Sequence, residues 1–375
     1  MSFKEIRCQD RAISLLQRAY GSDHTAHAYI FSGAEGIGKY KTASALAKLL
    51  LCLSPLTEHR DGGAFSESCG QCESCRLWDG DAHPDFNHVY KELRQFTADG
   101  KGKAAPVELP IDVIREFLIA RVATRPTISS RKVFVVSESE KLNTASQNAL
   151  LKVLEEPPAY CCLLLLCTRL DKLLPTIKSR AQVIRFGPID ESIVVDYLVH
   201  KGLDTDRSVY FSRLSRGSLG SAGRWADLEL AGAELYVHKQ EIIASLAALT
   251  LGDTVVFAEG LLAKAKQLLE CWVKLEKDVS RTDLNRRTQK TMVHIVLSLL
   301  EDAMKMDMAL PREAINEDQP GCIRSFSQRF SPDAMTDRVV DCYEALQWIE
   351  SGVNERLIFE RLLLRIIDSG IIPGL

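Results

Sequence analysis

Short apolar runs alternate with amphipathic helical patterns along the first half of the chain. Residues 10–20 show a helical periodicity that ends at Gly21, a residue type that commonly follows the last turn of a helix. Further helical patterns cover residues 111–123 and 144–155, and strands that alternate with helices imply a parallel sheet with helices on both faces. The predicted strands are Ala28–Phe31, Phe86–Tyr90, Val133–Val136, Leu163–Cys167 and Val183–Phe186.

The strand pattern ends after Gly187-Pro188, and only helical patterns follow. Three short helical stretches occupy residues 190–228, and long amphipathic helices dominate the remainder. The sequence therefore predicts an α/β domain over 1–188, a small three-helix domain over 189–228 and a helical domain over 229–375. The long helices are predicted at Val255–Lys277, Lys290–Met306 and Asp337–Glu350.

Composition and charge narrow the class of protein. Apolar residues make up 46% of the chain and charged residues 26%, as in folded proteins with sizeable cores. The net charge of −3 provides no global basic field, so DNA contact is expected only through a local surface or an assembly. The N-terminus lacks a signal peptide, and the longest apolar run, Ala159–Cys167, is too short to cross a bilayer. Eleven cysteines, several in apolar runs, suit a reducing compartment, so we expect a cytoplasmic protein.

A glycine-rich loop follows the first predicted strand and opens the next helix. Its Gly-x4-Gly-Lys spacing is that of a P-loop, in which backbone N–H groups and the lysine face phosphate oxygens. The candidate nucleotide-binding residues are Gly33, Gly36, Gly38 and Lys39. The alternative is a strand-to-helix turn that never binds nucleotide.

Two substitutions affect the magnesium ion that a P-loop ATPase needs. The lysine is followed by Tyr40, whose hydroxyl lies beyond an aromatic ring and cannot replace the Ser or Thr that coordinates Mg²⁺. The predicted strand Val133–Val136 is followed by Ser137-Glu138, where an ATPase has Asp-Glu. Both changes fall in one metal shell, so the sequence predicts a degenerate P-loop that does not hydrolyse ATP.

Four cysteines form a candidate metal site. Cys69, Cys72 and Cys75 have Cys-x2-Cys-x2-Cys spacing, which aims successive sulfurs at one centre. Cys52, which ends the helix after the P-loop, is the preferred fourth ligand over His59, His83 and Cys8. A closed set of four thiolates predicts structural zinc without an open catalytic position. Free thiols, an iron–sulfur cluster and a redox pair are the alternatives.

Several motifs together resemble the clamp-loader subunits of bacterial DNA polymerase III, a family of the AAA+ superfamily. The match is dense over residues 1–225 and thin beyond, although residues 354–365 look like the family's last helix. The run ending in Leu-Glu-Glu-Pro-Pro and the four-cysteine module are specific to this family rather than to ATPases in general. The other matching segments are His27–Gly33, His83–Phe86, Thr168-Arg169 and Thr176–Arg180.

The resemblance implies functions for two further residues. Motor subunits of the family carry a nucleotide-sensing arginine in the lid, where this chain has Gly220. With Tyr40 and Ser137, three ATPase determinants are therefore degraded. Arg180 matches an arginine finger that enters a neighbouring subunit's ATP site, although the family's following cysteine is Ala181 here. The alternative for Arg180 is a solvated charge at a helix end, and His83-Pro84-Asp85 is interpreted as a turn before a strand.

The resemblance implies an AAA+ α/β domain with an inserted zinc module, a helical lid and a helical collar. The function that follows is a non-hydrolysing stator subunit of the clamp loader, which helps to load the sliding clamp onto primed DNA. The expected partners are the loader's ATPase subunits and delta subunit in a hetero-oligomer, with the clamp and DNA contacted through the complex. The rival functions are an active ATPase motor subunit and a zinc-dependent nucleic-acid-binding module.

Overall fold

The computed structural model describes residues 2–60, 63–100, 106–277, 279–307 and 314–367. These residues form two compact units. The first runs to Asp190 and includes Ser218–Gly220, and the second comprises Glu191–Gly217 and the chain from Ser221 onwards. The predicted division at 228 lies inside the second unit, and the separate domains 189–228 and 229–375 stay a prediction, with residues 368–375 outside the described part.

The first unit is built on a five-stranded parallel sheet in the order β4-β5-β6-β1-β7, so the predicted α/β class is confirmed. A separate antiparallel hairpin, β2–β3, lies between Cys52 and Cys69 and is not predicted by the sequence pattern. The strands are β1 (Ala28–Ser32), β2 (Leu56–Arg60), β3 (Gly63–Glu67), β4 (Phe86–Val89), β5 (Lys132–Val136), β6 (Cys161–Cys167) and β7 (Gln182–Arg185).

Helices cover both faces of this sheet. Strands β5 and β6 are buried at every position, which explains the apolar sequence of β6 and of residues 133–136 in β5, because parallel strands covered on both faces have no solvent side. One core packs Leu16 and Leu46 against Phe31, and the other packs Val113 and Leu150 against Ile30. The helices are α1 (Asp10–Gly21), α2 (Lys39–Leu51), α3 (Glu73–Asp79), α4 (Ile111–Ile114), α5 (Ala120–Val122, joined to α4 by a π-helical turn), α6 (Thr144–Glu155) and α7 (Pro175–Lys178).

Within its described residues, the second unit contains helices and no strand. Its longest helix, α13, begins at Arg281, well before the predicted start at Lys290, because Ser280 caps a polar first turn by accepting the Asp283 N–H at 3.1 Å. No helix of the described residues has the length and apolar character of a membrane span. The remaining helices are α8 (Glu191–Lys201), α9 (Thr205–Ser215), α10 (Leu219–Leu230, its first two residues in the first unit), α11 (Leu235–Ala248), α12 (Thr254–Leu275), α14 (Pro320–Ser327), α15 (Pro332–Ser351) and α16 (Glu355–Ile367).

A buried ammonium group joins two of these helices. The side chain of Lys239 on α11 is fully buried, where it pairs with Asp318 and lies 4.7 Å from the ring centre of Tyr210 on α9. Burial lowers the pKa of Lys239, and the Asp318 carboxylate opposes that shift. The predicted lid helix α9 is therefore held to the C-terminal helices by charge as well as by apolar packing.

Candidate functional site

The P-loop begins where β1 ends and leads into α2. Gly36 and Gly38 have φ values of +74° and +103°, a left-handed conformation that glycine adopts without steric cost. The Lys39 ammonium donates hydrogen bonds to the carbonyl oxygens of Gly33 at 2.7 Å and Ala34 at 2.5 Å. Burial lowers the pKa of Lys39. The lysine that would grip a phosphate is thus bonded to its own loop.

A second segment of the first unit, Ser218–Gly220, covers the rest of this loop. The Ser218 hydroxyl donates to the Glu35 carbonyl oxygen at 2.7 Å, and the Gly220 N–H donates to the Gly36 carbonyl oxygen at 2.9 Å. A Cβ atom at position 220 would lie 2.8 Å from the Gly36 Cα, closer than such atoms approach. The position at which the family's motor subunits carry an arginine therefore accepts only glycine in this arrangement.

The positions that should hold Mg²⁺ form an aromatic cluster instead. The Tyr40 ring lies 5.0 Å from the His88 ring, centre to centre, and His88 lies 4.8 Å from Tyr90. The His88 Nε2 is 2.8 Å from the Ser137 hydroxyl oxygen. Burial lowers the pKa of His88 to about 4, so the imidazole is neutral at pH 7.

This cluster does not fit a magnesium ion. Mg²⁺ prefers carboxylate and water oxygens in octahedral geometry, and the cluster offers two rings, an imidazole and a hydroxyl. The nearby acid Glu138 is paired with Lys141 and, at 3.6 Å, with Lys91. The prediction of a degenerate site rested on Tyr40, Ser137 and Gly220, and it missed His88.

The position of His88 in strand β4 is what places it beside Ser137. An imidazole in the apolar run 86–90 stands out only when β4 is paired with β5, which sets His88 opposite Val135, two residues before Ser137. A single sequence does not reveal that register.

The four predicted cysteines lie together at the end of α2 and the start of α3. Their sulfurs all fall within 4.8 Å of one another, with Cys52 3.6 Å from Cys69 and 3.7 Å from Cys75. The Cys69–Cys75 and Cys52–Cys72 separations are both 3.9 Å. Four sulfurs about 2.3 Å from a central zinc ion would stand roughly 3.8 Å apart, so the arrangement fits a tetrahedral metal. This site can hold a metal ion.

Backbone N–H groups support thiolates in this cluster. The Cys69 N–H donates to the Cys52 sulfur and the Cys72 N–H donates to the Cys69 sulfur, each at 3.3 Å. Burial opposes ionisation of Cys72, but N–H groups of Cys75 and Leu53 and the adjacent sulfurs outweigh burial and lower the pKa of Cys72 to about 6. Burial raises the pKa of Cys75. The site therefore already favours a thiolate at Cys72.

Residues of the His-Pro-Asp turn tie the cysteine module to the sheet. The His83 Nε2 lies 2.9 Å from the hydroxyl of Ser74 on α3, and the Ser74 hydroxyl donates to the Leu51 carbonyl oxygen at 2.7 Å. The fully buried Asp85 carboxylate accepts three backbone N–H groups from the segment 127–129. These bonds give the turn a structural purpose.

Arg180 follows α7 in the same unit. Its guanidinium donates to the Thr176 carbonyl oxygen at 3.1 Å and pairs with the Glu155 carboxylate at 3.1 Å. The side chain is 37% exposed. The guanidinium therefore lies partly at the surface, held by two contacts within its own unit.

These features define a class of protein: a parallel α/β P-loop unit of the AAA+ type with an inserted four-cysteine module. Two family models match the chain, "DNA polymerase III, delta subunit" over residues 8–190 and "DNA polymerase III, delta subunit, C terminal" over 266–368.

Relatives extend this match over nearly the whole chain. DNA polymerase III subunit delta' of Escherichia coli (strain K12) is 27% identical over 96% of this chain and 94% of its own length. The delta' subunit of Bacillus subtilis (strain 168) is 24% identical over 98% and 99%. The chain belongs to the DNA polymerase III delta-prime family of clamp-loader subunits.

Two further comparisons are with gamma-type proteins of DNA polymerase III. DNA polymerase III subunit tau/gamma of Haemophilus influenzae is 32% identical over 53% of this chain and 26% of its own. The crystal structure of a DNA polymerase III gamma subunit-related protein from Thermotoga maritima covers 95% of this chain and 98% of its own at 16% identity, with a TM-score of 0.41.

Proposed function

We propose that this chain is a non-hydrolysing stator subunit of a DNA polymerase III clamp loader. The observation that carries the proposal is the P-loop, in which the carbonyl oxygens of four successive residues, 33–36, accept hydrogen bonds from Lys39, Ser218 and Gly220. The Lys39 ammonium is engaged by its own loop and Tyr40 and His88 form a ring cluster beside it, and this arrangement is unsuited to Mg²⁺-ATP.

The chain's contribution to ATP hydrolysis would then be made in a neighbouring subunit. Arg180 would enter the ATP site of a gamma/tau-type ATPase and stabilise the charge that develops on the transferred phosphoryl group. The C-terminal helices would join the collar of the assembly with the ATPase subunits and delta. The sliding clamp and primed DNA would be contacted through the complex, in the cytoplasm.

The cofactor that we propose is one structural zinc ion held by Cys52, Cys69, Cys72 and Cys75. Zinc suits four thiolates in a closed tetrahedron, and no ligand position is left open for chemistry. The metal would fix the module between α2 and α3 and would take no part in catalysis.

The test is ATP hydrolysis by a reconstituted clamp loader carrying variants of this chain. The isolated chain should show no ATPase above background, and a turnover abolished by Lys39→Ala would favour an active motor subunit instead. In the complex, Arg180→Ala should leave assembly and metal content unchanged and should reduce the clamp- and DNA-stimulated ATPase. Arg180→Lys should rescue poorly, because lysine lacks the planar fork that bridges two phosphate oxygens.

A matched control is Arg185→Ala, which removes another exposed arginine, at the end of β7. Full activity with Arg180→Ala, equal to that of the control, would show that Arg180 is only a surface charge. Tight, salt-sensitive DNA binding by the isolated chain would instead support a nucleic-acid-binding module.

A further inference from the structure

The function proposed so far does not explain why helix α6 ends in acidic residues. The helix ends at Glu155, followed by Glu156 and by two prolines that cannot continue it. Carboxylates at a helix C-terminus face the negative end of the helix dipole, so this position normally favours basic residues. A sequence that breaks a local rule in this way is expected to gain something elsewhere in the structure.

Glu155 forms an ion pair with Arg180. Its carboxylate is 3.1 Å from Arg180, the arginine that we propose as a finger, 25 positions along the chain. On its other side the guanidinium donates to the Thr176 carbonyl oxygen, so the side chain is restrained at two points. Glu155 is 50% exposed, so a partner that approaches Arg180 also approaches its carboxylate.

We propose that Glu155 is a positioning residue for Arg180, a carboxylate that holds the guanidinium at the surface until an anionic phosphate of a neighbouring subunit's nucleotide replaces it. This inference rests on the proposed function of Arg180. A carboxylate and a phosphate both offer anionic oxygens to a guanidinium, so the exchange would replace one charged partner of Arg180 by another.

The weakness of the pair makes this exchange possible. Ion pairs between exposed side chains contribute little because water screens them and both side chains lose freedom. Glu155 would therefore restrain Arg180 without trapping it. Removing the carboxylate should release the arginine for its neighbour.

The experiment compares Glu155→Gln with Glu156→Gln in the reconstituted complex. The second variant is a matched control, because it removes the same charge one residue along. Glu155→Gln should raise the clamp- and DNA-stimulated ATPase at subsaturating ATP by about 1.4- to 5-fold, the range that exposed ion pairs imply. It should also lower the ATP concentration at half-maximal rate, and Glu156→Gln should change neither.

A double variant separates positioning from a structural effect. Glu155→Gln should have no effect on this ATPase in an Arg180→Ala background, with metal content unchanged in every variant. An unchanged or lower rate with Glu155→Gln, or an effect that persists without Arg180, would overturn this inference. Full activity of Arg180→Ala alone would instead overturn the proposed function itself.

Discussion

Asp85→Asn should loosen the joint between the cysteine module and the central sheet. The Asp85 carboxylate is fully buried and accepts the N–H groups of Thr127 at 2.6 Å, Ile128 at 2.8 Å and Ser129 at 2.9 Å. Asparagine has nearly the same shape, but one of its two terminal atoms is a donor. The substitution therefore tests hydrogen bonding rather than packing.

The size of the effect follows from the geometry. The amide oxygen would best replace the oxygen that accepts from both Ile128 and Ser129, which leaves the Thr127 N–H facing an NH₂ group. One charge-assisted hydrogen bond is lost, a buried donor is left unsatisfied, and the other two bonds become neutral. Together these changes should cost about 3 kcal/mol of stability in this unit.

Hydrogen–deuterium exchange of the full, metal-loaded chain measures this loss locally. Amides of the segment 127–129 should exchange roughly 100-fold faster in Asp85→Asn, the ratio that corresponds to that free energy. Asp171→Asn, at an exposed position, is the control and should leave this segment unchanged. Equal exchange in wild type and Asp85→Asn would refute the claim that the carboxylate holds this segment.

Three other perturbations test the nucleotide and metal sites. Burial lowers the pKa of His88 from 6.5 to about 4, so the unfolded chain takes up a proton that the folded chain refuses. Stability is therefore fully present above pH 6.5 and should fall by about 3 kcal/mol as the pH drops towards 4, a dependence in urea unfolding that His88→Gln should flatten. Gly220→Ala should lower the thermal midpoint through a cost of about 1–3 kcal/mol, because its Cβ meets the Gly36 backbone, whereas Gly260→Ala in the open middle of α12 should not. Elemental analysis should find one zinc per chain, lost in Cys75→Ser and kept in the control Cys271→Ser, which lies outside the cluster.

The sheet could be predicted because the apolar sequences of its strands indicate that the strands are buried. Strand β6 and residues 133–136 of β5 are continuous apolar runs, and no solvent-facing residue interrupts them. The hairpin β2–β3 could not, because Thr57 and Ser66 face each other across it at 3.0 Å and no apolar alternation marks its strands. Strand propensity and apolar alternation do not identify a strand that polar cross-strand pairs stabilise.

The candidate site likewise has a part that could be predicted from the sequence and a part that could not. Spacing along the chain brought Cys69, Cys72 and Cys75 into the prediction, because a tight turn determines their distances locally. The partnership of His88 with Tyr40 depends on strand register, and that of Glu155 with Arg180 depends on how α6 packs near α7. Contacts of that kind need the folded chain.

The features that we propose make the nucleotide site degenerate are best understood together rather than one by one. A P-loop ATPase leaves its metal position open to a cation and its lysine available to a phosphate. Here Tyr40 and His88 occupy the place of the metal ion, and the loop's own carbonyl oxygens bind Lys39. Restoring threonine at position 40 would leave a buried, neutral imidazole where Mg²⁺ should bind, and restoring the lid arginine would place a side chain against Gly36. Neither change alone would therefore give a site that Mg²⁺-ATP could occupy.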